Sequence, residues 1–160
     1  MARTRQVITR ADFAALTHPL VGLRVSHLWR GHGSALFLEL GKLKRPGDRT
    51  NPQGVGSIML EWSWRVEAPR SIAFGSWSSD RKIAAGVQSL RGRRVLAMSL
   101  VGRLPELELE LTEGRWVHSF MTFEGAPMWT VFLPDGSWLC VERGAVVHDN
   151  MRRARGARSA

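Results

Sequence analysis

Three carboxylates on one predicted strand are the first residues whose types and spacing could support catalysis. Glu106, Glu108 and Glu110 alternate with leucines, so they share one strand face and lie about 7 Å apart along it. Two carboxylates at that separation can act as the acid and the base of a glycosidase. The same pattern is more typical of a solvated strand face whose charges pair with Arg65 or Arg115 on neighbouring strands. We therefore predict no catalytic residue in this set.

Histidine and cysteine are common metal ligands, but their spacing here indicates no metal site. The chain has five histidines and one cysteine, without an HExxH or CxxC motif. His118 shares a predicted strand face with Trp116 and Phe120, so we interpret it as a hydrogen-bonded core histidine, with ligand binding as the alternative. Cys140 falls at a predicted buried position and is interpreted as a small apolar side chain. We predict neither a metal nor another cofactor.

The seven tryptophans are the residues most suited to stacking on a ligand or a nucleic-acid base. Trp62 and Trp64 fall on the apolar face of one alternating segment, so we predict that both lie in the core. Trp116 and Trp138 each follow a turn glycine by two residues, which favours packing at the start of a strand. Together with His118, these two tryptophans form the candidate ligand-binding set.

The formal charge of +9 is confined to both ends of the chain and one loop. Residues 1–10, 42–50 and 145–160 each carry a net charge of +3, and the other 125 residues are neutral. A strongly basic protein is a candidate for nucleic-acid binding, and here that role falls on the arms and the loop rather than on the body. The candidate nucleic-acid-binding residues are Lys42, Lys44, Arg45, Arg152, Arg153, Arg155 and Arg158.

Short strands joined by tight turns are predicted to position these side chains. Residues 58–66 and 106–111 alternate between apolar and polar types, which indicates strands with one buried face. Asp135-Gly136 lies between two apolar runs, which is typical of a hairpin turn. Thr9 and Ser79 each begin a segment with helical spacing of apolar residues. The predicted fold class is α+β with mainly antiparallel β structure.

An internal repeat indicates that the fold has two similar halves. Residues 20–25 match 90–95, and residues 36–40 match 107–111, whereas later matches have an offset shorter by the length of the polar loop 42–54. We predict two α-β-β-β-β halves, at about 9–77 and 79–143, that share one core around a pseudo-twofold axis. Residues 1–144 then form a single β-rich domain, and 145–160 a basic disordered tail.

Membrane association and export are not expected from the composition. No run of 18 apolar residues occurs, and the basic N-terminal residues precede no apolar segment of a secretory signal. A single cysteine fits a reducing compartment, so we expect a cytoplasmic protein.

The order of these motifs resembles a family of small bacterial domains of unknown function. The similar pieces are Leu20-x-Gly22-x-x-Val25, Leu90-x-Gly92-x-x-Val95, the Leu/Glu strand ending at Glu113-Gly114, Trp129, and the turn Pro134-Asp135-Gly136. The resemblance covers about residues 20–143. It implies a role in partner binding or as an immunity protein, and it assigns no functional residue.

The sequence favours a non-catalytic binding protein that recognises a protein partner or a second copy of itself. Two alternatives stay open. The first is non-specific nucleic-acid binding through the basic arms and loop. The second is a small-molecule binder or enzyme with a pocket near His118.

Overall fold

The computed structural model describes residues 2–45, 51–122, 124–125 and 127–152, which form mainly antiparallel strands with two short α-helices. The strands are β1 (Ala2–Ile8), β2 (Val25–Arg30), β3 (Leu36–Leu40), β4 (Gly56–Leu60), β5 (Trp64–Ala68), β6 (Ser71–Gly75), β7 (Val95–Val101), β8 (Glu106–Leu111), β9 (Arg115–Ser119), β10 (Trp129–Phe132), β11 (Trp138–Glu142) and β12 (Ala145–Arg152). The helices are α1 (Arg10–Thr17), which runs into a 3₁₀ turn (His18–Leu20), and α2 (Asp80–Leu90). The predicted α+β class is confirmed.

The strands form two sheets. The seven-stranded sheet has the order β1-β12-β11-β10-β4-β3-β2, and the five-stranded sheet has the order β6-β5-β9-β8-β7. All of the strand pairs are antiparallel. Leucine, valine and isoleucine side chains from both sheets and both helices form one core cluster. Burial of one apolar face per element is what holds the two layers together.

Both helices begin at the residues expected from the sequence. The Thr9 hydroxyl accepts a hydrogen bond from the Asp12 amide at 3.1 Å, and the Asp12 carboxylate accepts one from the Thr9 amide at 2.9 Å. This reciprocal pair satisfies two amides that a helix start would otherwise leave unpaired. Ser79 caps α2 in the same way through its hydroxyl, which accepts from the Lys82 amide.

One predicted strand is in fact two strands in different sheets. The alternating segment 58–66 is divided into β4 and β5, and the chain crosses from the seven-stranded to the five-stranded sheet between them. Trp64 is 2 % exposed, as predicted, but Trp62 lies in the crossing and is 50 % exposed. The prediction that Trp62 lies in the core is therefore wrong. Alternation continues across the crossing, so the pattern alone does not reveal that the chain changes sheets.

The two halves have the same arrangement of strands. In each half, the first three strands lie in one sheet and the last two lie in the sheet that holds the first three strands of the other half. In the first half, β2, β3 and β4 lie in one sheet and β5 and β6 in the other; in the second, β7, β8 and β9 lie in one and β10 and β11 in the other. Where β2 meets β7, the Gly22 amide donates to the Val95 carbonyl and the Gly92 amide donates to the Val25 carbonyl, both at 2.8 Å. Each half thus contains five strands rather than four. The internal duplication stays a prediction, because strand order does not establish a common origin.

The ends of the chain differ from the prediction of basic arms. Residues 145–152, predicted as the start of a disordered tail, form β12, which pairs with both β1 and β11. Val146 and Val147 are both buried, so this strand is covered on two faces and lacks the alternation by which strands are recognised in a sequence. The rest of the predicted tail, residues 153–160, lies outside the described residues.

The predicted hairpin turn at Asp135-Gly136 connects β10 and β11, with Gly136 at a positive φ of 86°. The Asp135 carboxylate accepts hydrogen bonds from the Ser137 hydroxyl at 2.6 Å and the Ser137 amide at 2.9 Å. The bond from the Ser137 hydroxyl is the main reason that the pKa of Asp135 lies below its ordinary value of 3.8.

The lowered pKa of Asp135 should make the stability of the folded protein decrease at acidic pH. Because the folded pKa is lowered, the carboxylate's contribution is present above the ordinary pKa and is lost as the pH falls through the folded pKa. We expect the urea midpoint of Asp135→Asn to fall less than that of the unmodified protein between about pH 6 and about pH 3. Ser137→Ala, which removes the hydroxyl donor, should reduce the fall similarly. Equal falls in all three proteins would contradict the assignment.

Candidate binding site

The three carboxylates of β8 have separate roles. Glu106 accepts hydrogen bonds from the Ser119 hydroxyl and the Met121 amide, both at 2.6 Å, and so stabilises the end of β9. Glu108 lies beside His118 on the next strand, and Glu110 is opposite Trp116. One of the three is thus engaged in structural bonds, and the other two face different neighbours.

His118 lies on the face of the five-stranded sheet that points away from the core. Val117, its neighbour on β9, is buried in the core cluster, and successive side chains of a strand point to opposite faces. The interpretation of His118 as a core residue is therefore wrong. Its Nε2 is 3.7 Å from a Glu108 oxygen, and its ring stacks on Phe120 with centroids 5.2 Å apart. Its Nδ1 is buried and has no hydrogen-bond partner among the described residues.

The structure brings together two of the three candidate ligand-binding residues. Trp116 and His118 are two positions apart on β9 and share its outer face. Trp138 begins β11 in the other sheet, where it pairs with Phe132 and Asp149. A single ligand site that contains all three side chains is not formed. The role of Trp116 and His118 in ligand binding stays a prediction.

The candidate nucleic-acid-binding residues are spread over the seven-stranded sheet. Lys42, Lys44 and Arg45 are exposed and follow β3, whereas Arg152 ends β12. Four strand spacings separate β3 from β12, which is about 19 Å. Arg153, Arg155 and Arg158 lie outside the described residues. The described part therefore does not gather these cations into one continuous track.

The two most exposed aromatic side chains lie in the β4–β5 and β6–α2 connections. Trp77 is 93 % exposed, Trp62 50 % and Ile72 61 %, and the half-buried Phe120 lies next to them. We call these four residues the seam surface. Two cavities of about 430 and 350 Å³ adjoin there and share four lining residues, which are Ser63, Ser76, Trp77 and Thr122.

Hydrogen bonds hold the backbone of the seam surface in place. The Ser34 hydroxyl donates to the Trp62 carbonyl at 2.8 Å, and the Trp64 indole donates to the Ser34 carbonyl at 2.7 Å. These bonds join the β2–β3 hairpin to the crossing that carries Trp62. Near Trp77, the Ser78 amide donates to the Gly75 carbonyl at 2.9 Å. Exposed rings on a backbone that is already ordered lose little conformational freedom on binding.

Charged side chains surround this surface. The Arg65 guanidinium lies 4.2 Å from the centre of the Phe120 ring and pairs through Nε with Glu67. Arg30 pairs with Asp80 at 3.0 Å at the start of α2. Three further exposed cations near the surface form no ion pair with a carboxylate of the described residues, namely Arg70, Arg81 and Lys82.

The seam surface was not predicted from the sequence, because residues 71–77 can be interpreted as one continuous strand. β6 ends at Gly75, so Trp77 lies in the connection to α2. The signal was present in the sequence, since Gly75-Ser76 precedes Trp77 and the helix cap Ser78-Ser79-Asp80 follows it. A tryptophan between a glycine and a helix cap has no strand neighbours to cover it.

Other kinds of site find less support in the described residues. A larger cavity of about 700 Å³ has Leu104, Met121, Met128 and Val141 in its lining, but the strongly exposed aromatic side chains lie elsewhere. Within the described ranges, no group of three histidine, cysteine or acidic side chains is placed to hold a metal ion. None of the described helices is both long and apolar enough to cross a bilayer.

Comparison with known proteins was made at the level of family models, curated sequences and solved structures. No family model matches the chain, and no curated protein or solved structure is significantly similar to it. The site is therefore interpreted from its own geometry.

Proposed function

We propose that this chain is a non-catalytic binding protein that docks on another protein through the seam surface. The observation that carries the proposal is Trp77, a tryptophan 93 % exposed beside the half-exposed Trp62 and Ile72. Exposed clusters of large apolar side chains in folded proteins mark interaction sites. Tryptophan is also among the residues that most often dominate the binding energy of protein interfaces.

Burial of the seam surface would contribute substantial hydrophobic energy to an interaction. Burial of one tryptophan side chain removes about 200 Å² from water, which corresponds to about 5 kcal/mol before the costs of association. Trp62, Ile72 and Trp77 together supply the apolar centre of an interface, and the charged side chains around them supply a polar rim. A partner would contribute the remaining area of a standard interface.

Protein recognition is favoured over nucleic-acid binding by the acidic side chains at the seam surface. Glu61 precedes Trp62, and Glu67 pairs with Arg65 beside the cleft. These carboxylates interrupt the continuous positive track that successive phosphates of a nucleic acid would need, and phosphate neutralisation supplies most of non-specific nucleic-acid affinity. The unpaired cations lie at the two ends of the surface rather than along it.

The proposal is tested by cross-linking from position 77 in living cells. Trp77 is replaced by the photoreactive p-benzoylphenylalanine, and Leu96, which is half-exposed on β7 at the far edge of the five-stranded sheet, is replaced in a control. We expect a protein that is captured from position 77 and not from position 96. That protein is then identified, purified and used in direct binding measurements.

Trp77→Ala is expected to weaken binding of the purified partner about 30-fold, because removal of a central tryptophan typically costs about 2 kcal/mol. The urea midpoint should stay unchanged, because a side chain that is 93 % exposed contributes little to folding. Leu96→Ala is the matched control and should leave binding unchanged. Equal affinities of Trp77→Ala and the unmodified protein, or capture from both positions alike, would reject the seam surface as the docking site.

A further inference from the structure

We infer that the partner of the seam surface is a protein segment that carries an apolar anchor residue flanked by aspartate or glutamate side chains. This inference rests on the proposed function and adds the chemistry of the partner to it. It follows from the charges at the centre and at the two ends of the seam surface.

At the centre, Arg65 has hydrogen-bonding capacity left over. Its Nε pairs with Glu67, and its guanidinium lies over the Phe120 ring. Both Arg65 and Phe120 line the cavity of about 430 Å³. Among the described residues, the hydrogen bond and ion pair of Arg65 with Glu67 engage Nε and not the two terminal nitrogens. An arginine held against a ring is already oriented, and its two terminal nitrogens match the two oxygens of a carboxylate.

At one end, two cations lie where they do not help the fold. Arg81 and Lys82 are in the first turn of α2, next to the connection that carries Trp77. The positive end of the helix dipole disfavours cations at this position. Both side chains are exposed, and neither is paired with a carboxylate in the part of the chain that the structure describes. Arg81 and Lys82 therefore lower the stability of α2 slightly, whereas both positive charges would attract an acidic partner.

At the other end, Arg70 lies in the β5–β6 turn, two residues before Ile72. It is also exposed and forms no ion pair with any described carboxylate. An apolar strip from Ile72 to Trp77 is thus bordered by cations at both ends. Complementary charges across an interface speed association and exclude wrong partners. An anchor side chain with carboxylates on both sides fits this arrangement.

A nucleic acid fits it less well. A single strand needs a continuous positive groove along which successive phosphates bind. Here Glu67 and Glu61 interrupt the cations between the two ends of the surface. We therefore commit to an acidic protein segment, and nucleic-acid binding becomes one outcome of the test.

The test uses a random 12-residue peptide library displayed on phage, selected against the full chain with counter-selection on Trp77→Ala. We expect the selected peptides to share a Trp, Phe or Leu with Asp or Glu within a few positions. A synthetic peptide of that sequence should bind Arg65→Gln and Arg81→Glu at least about tenfold more weakly than the unmodified protein. Arg65→Lys should restore only part of the affinity, because lysine lacks the planar fork.

Arg103→Glu is the matched control for net charge. Arg103 is exposed in the β7–β8 connection, at the opposite edge of the five-stranded sheet from β6. The Arg103→Glu substitution changes the net charge by the same amount as Arg81→Glu. The affinity for the peptide should therefore stay within about twofold of that of the unmodified protein if local charge, rather than total charge, determines binding.

Each other outcome overturns the inference in a recognisable way. Peptides that need Trp77 but lack acidic residues, or that bind Arg65→Gln and Arg81→Glu normally, leave the proposed function standing and reject the acidic partner. Peptides that bind Trp77→Ala as well as the unmodified protein reject both. Three further results also reject the acidic protein segment. They are a selection that enriches no sequence, self-association through the seam surface, and salt-sensitive binding of a single-stranded 20-nucleotide probe that depends on Trp77.

Discussion

Replacement of Trp129 by alanine is expected to lower the free energy of unfolding by about 4 kcal/mol. Trp129 is fully buried on β10, the central strand of the seven-stranded sheet. Its ring packs edge-on against Phe13 of α1, with centroids 5.9 Å apart. The loss combines the apolar area of the ring with the cavity that it leaves between the sheet and the helix. We expect the cavity term to be large because a central strand cannot move into the space.

The indole nitrogen of Trp129 adds a polar contribution that a second variant isolates. It donates a hydrogen bond to the Pro105 carbonyl at 2.9 Å, and that bond is buried. Trp129→Phe keeps most of the ring but leaves the carbonyl without its donor, which should cost about 1–2 kcal/mol. Urea denaturation followed by fluorescence and circular dichroism measures both effects. Trp77→Ala is the control of the same residue type and should change stability by less than about 0.5 kcal/mol. A loss below about 1 kcal/mol in Trp129→Ala would contradict the position of this ring in the core.

Tryptophan burial illustrates how far the sequence alone leads. Trp64 falls on an alternating apolar face, and its burial follows from that pattern. Trp62 has the same pattern but lies where the chain changes sheets, and its exposure depends on contacts with the β2–β3 hairpin that are distant in sequence. Period-two alternation records which way a side chain points along one strand. It does not record where that strand ends.

The pattern of strands was predictable where turns are encoded by residue type. The Asp135-Gly136 turn and the helix caps at Thr9 and Ser79 are local features, and the structure has them where the sequence predicts. β12 was missed because the adjacent Val146 and Val147 are both buried, so the strand lacks period-two alternation, and because its pairing with β1 joins residues distant in sequence. The prediction of a basic tail relied on charge density near the end of the chain, and pairing with β1 is a long-range effect.

The candidate site was the least predictable part. His118 and Trp116 were selected because histidine and tryptophan are suited to ligand contacts, and they do share one strand face. The seam surface instead combines the β4–β5 connection with Trp62, strand β6 with Ile72, the β6–α2 connection with Trp77, and Phe120 just beyond β9. No spacing in the sequence links these connections. Their proximity is a consequence of the exchange of strands between the sheets.

Gly54→Ala is expected to lower the free energy of unfolding by about 3 kcal/mol, although it adds a single methyl group. A Cβ atom at this position would lie 2.4 Å from the Leu40 carbonyl oxygen, 2.5 Å from the Leu40 nitrogen and 2.8 Å from the Gly56 carbonyl oxygen. All three are backbone atoms of paired strands, so none can turn aside as a flexible side chain would. Leu40 is fully buried, and its carbonyl accepts a hydrogen bond from the Val55 amide at 2.7 Å.

The same substitution would disturb a buried carboxylate. The Gly54 amide donates to Glu39 at 2.9 Å, and Glu39 is only 3 % exposed. Movement of the Gly54 backbone away from Leu40 would leave this carboxylate with fewer donors, and unsatisfied buried charge is costly. Gln53→Ala is the matched control, because residue 53 is exposed and its backbone pairing with Lys44 is kept. We expect the urea midpoint to fall sharply in Gly54→Ala and to stay unchanged in Gln53→Ala. Equal midpoints in the two variants would show that the segment leading into β4 yields without cost, and the close approach of Gly54 to β3 would then be wrong.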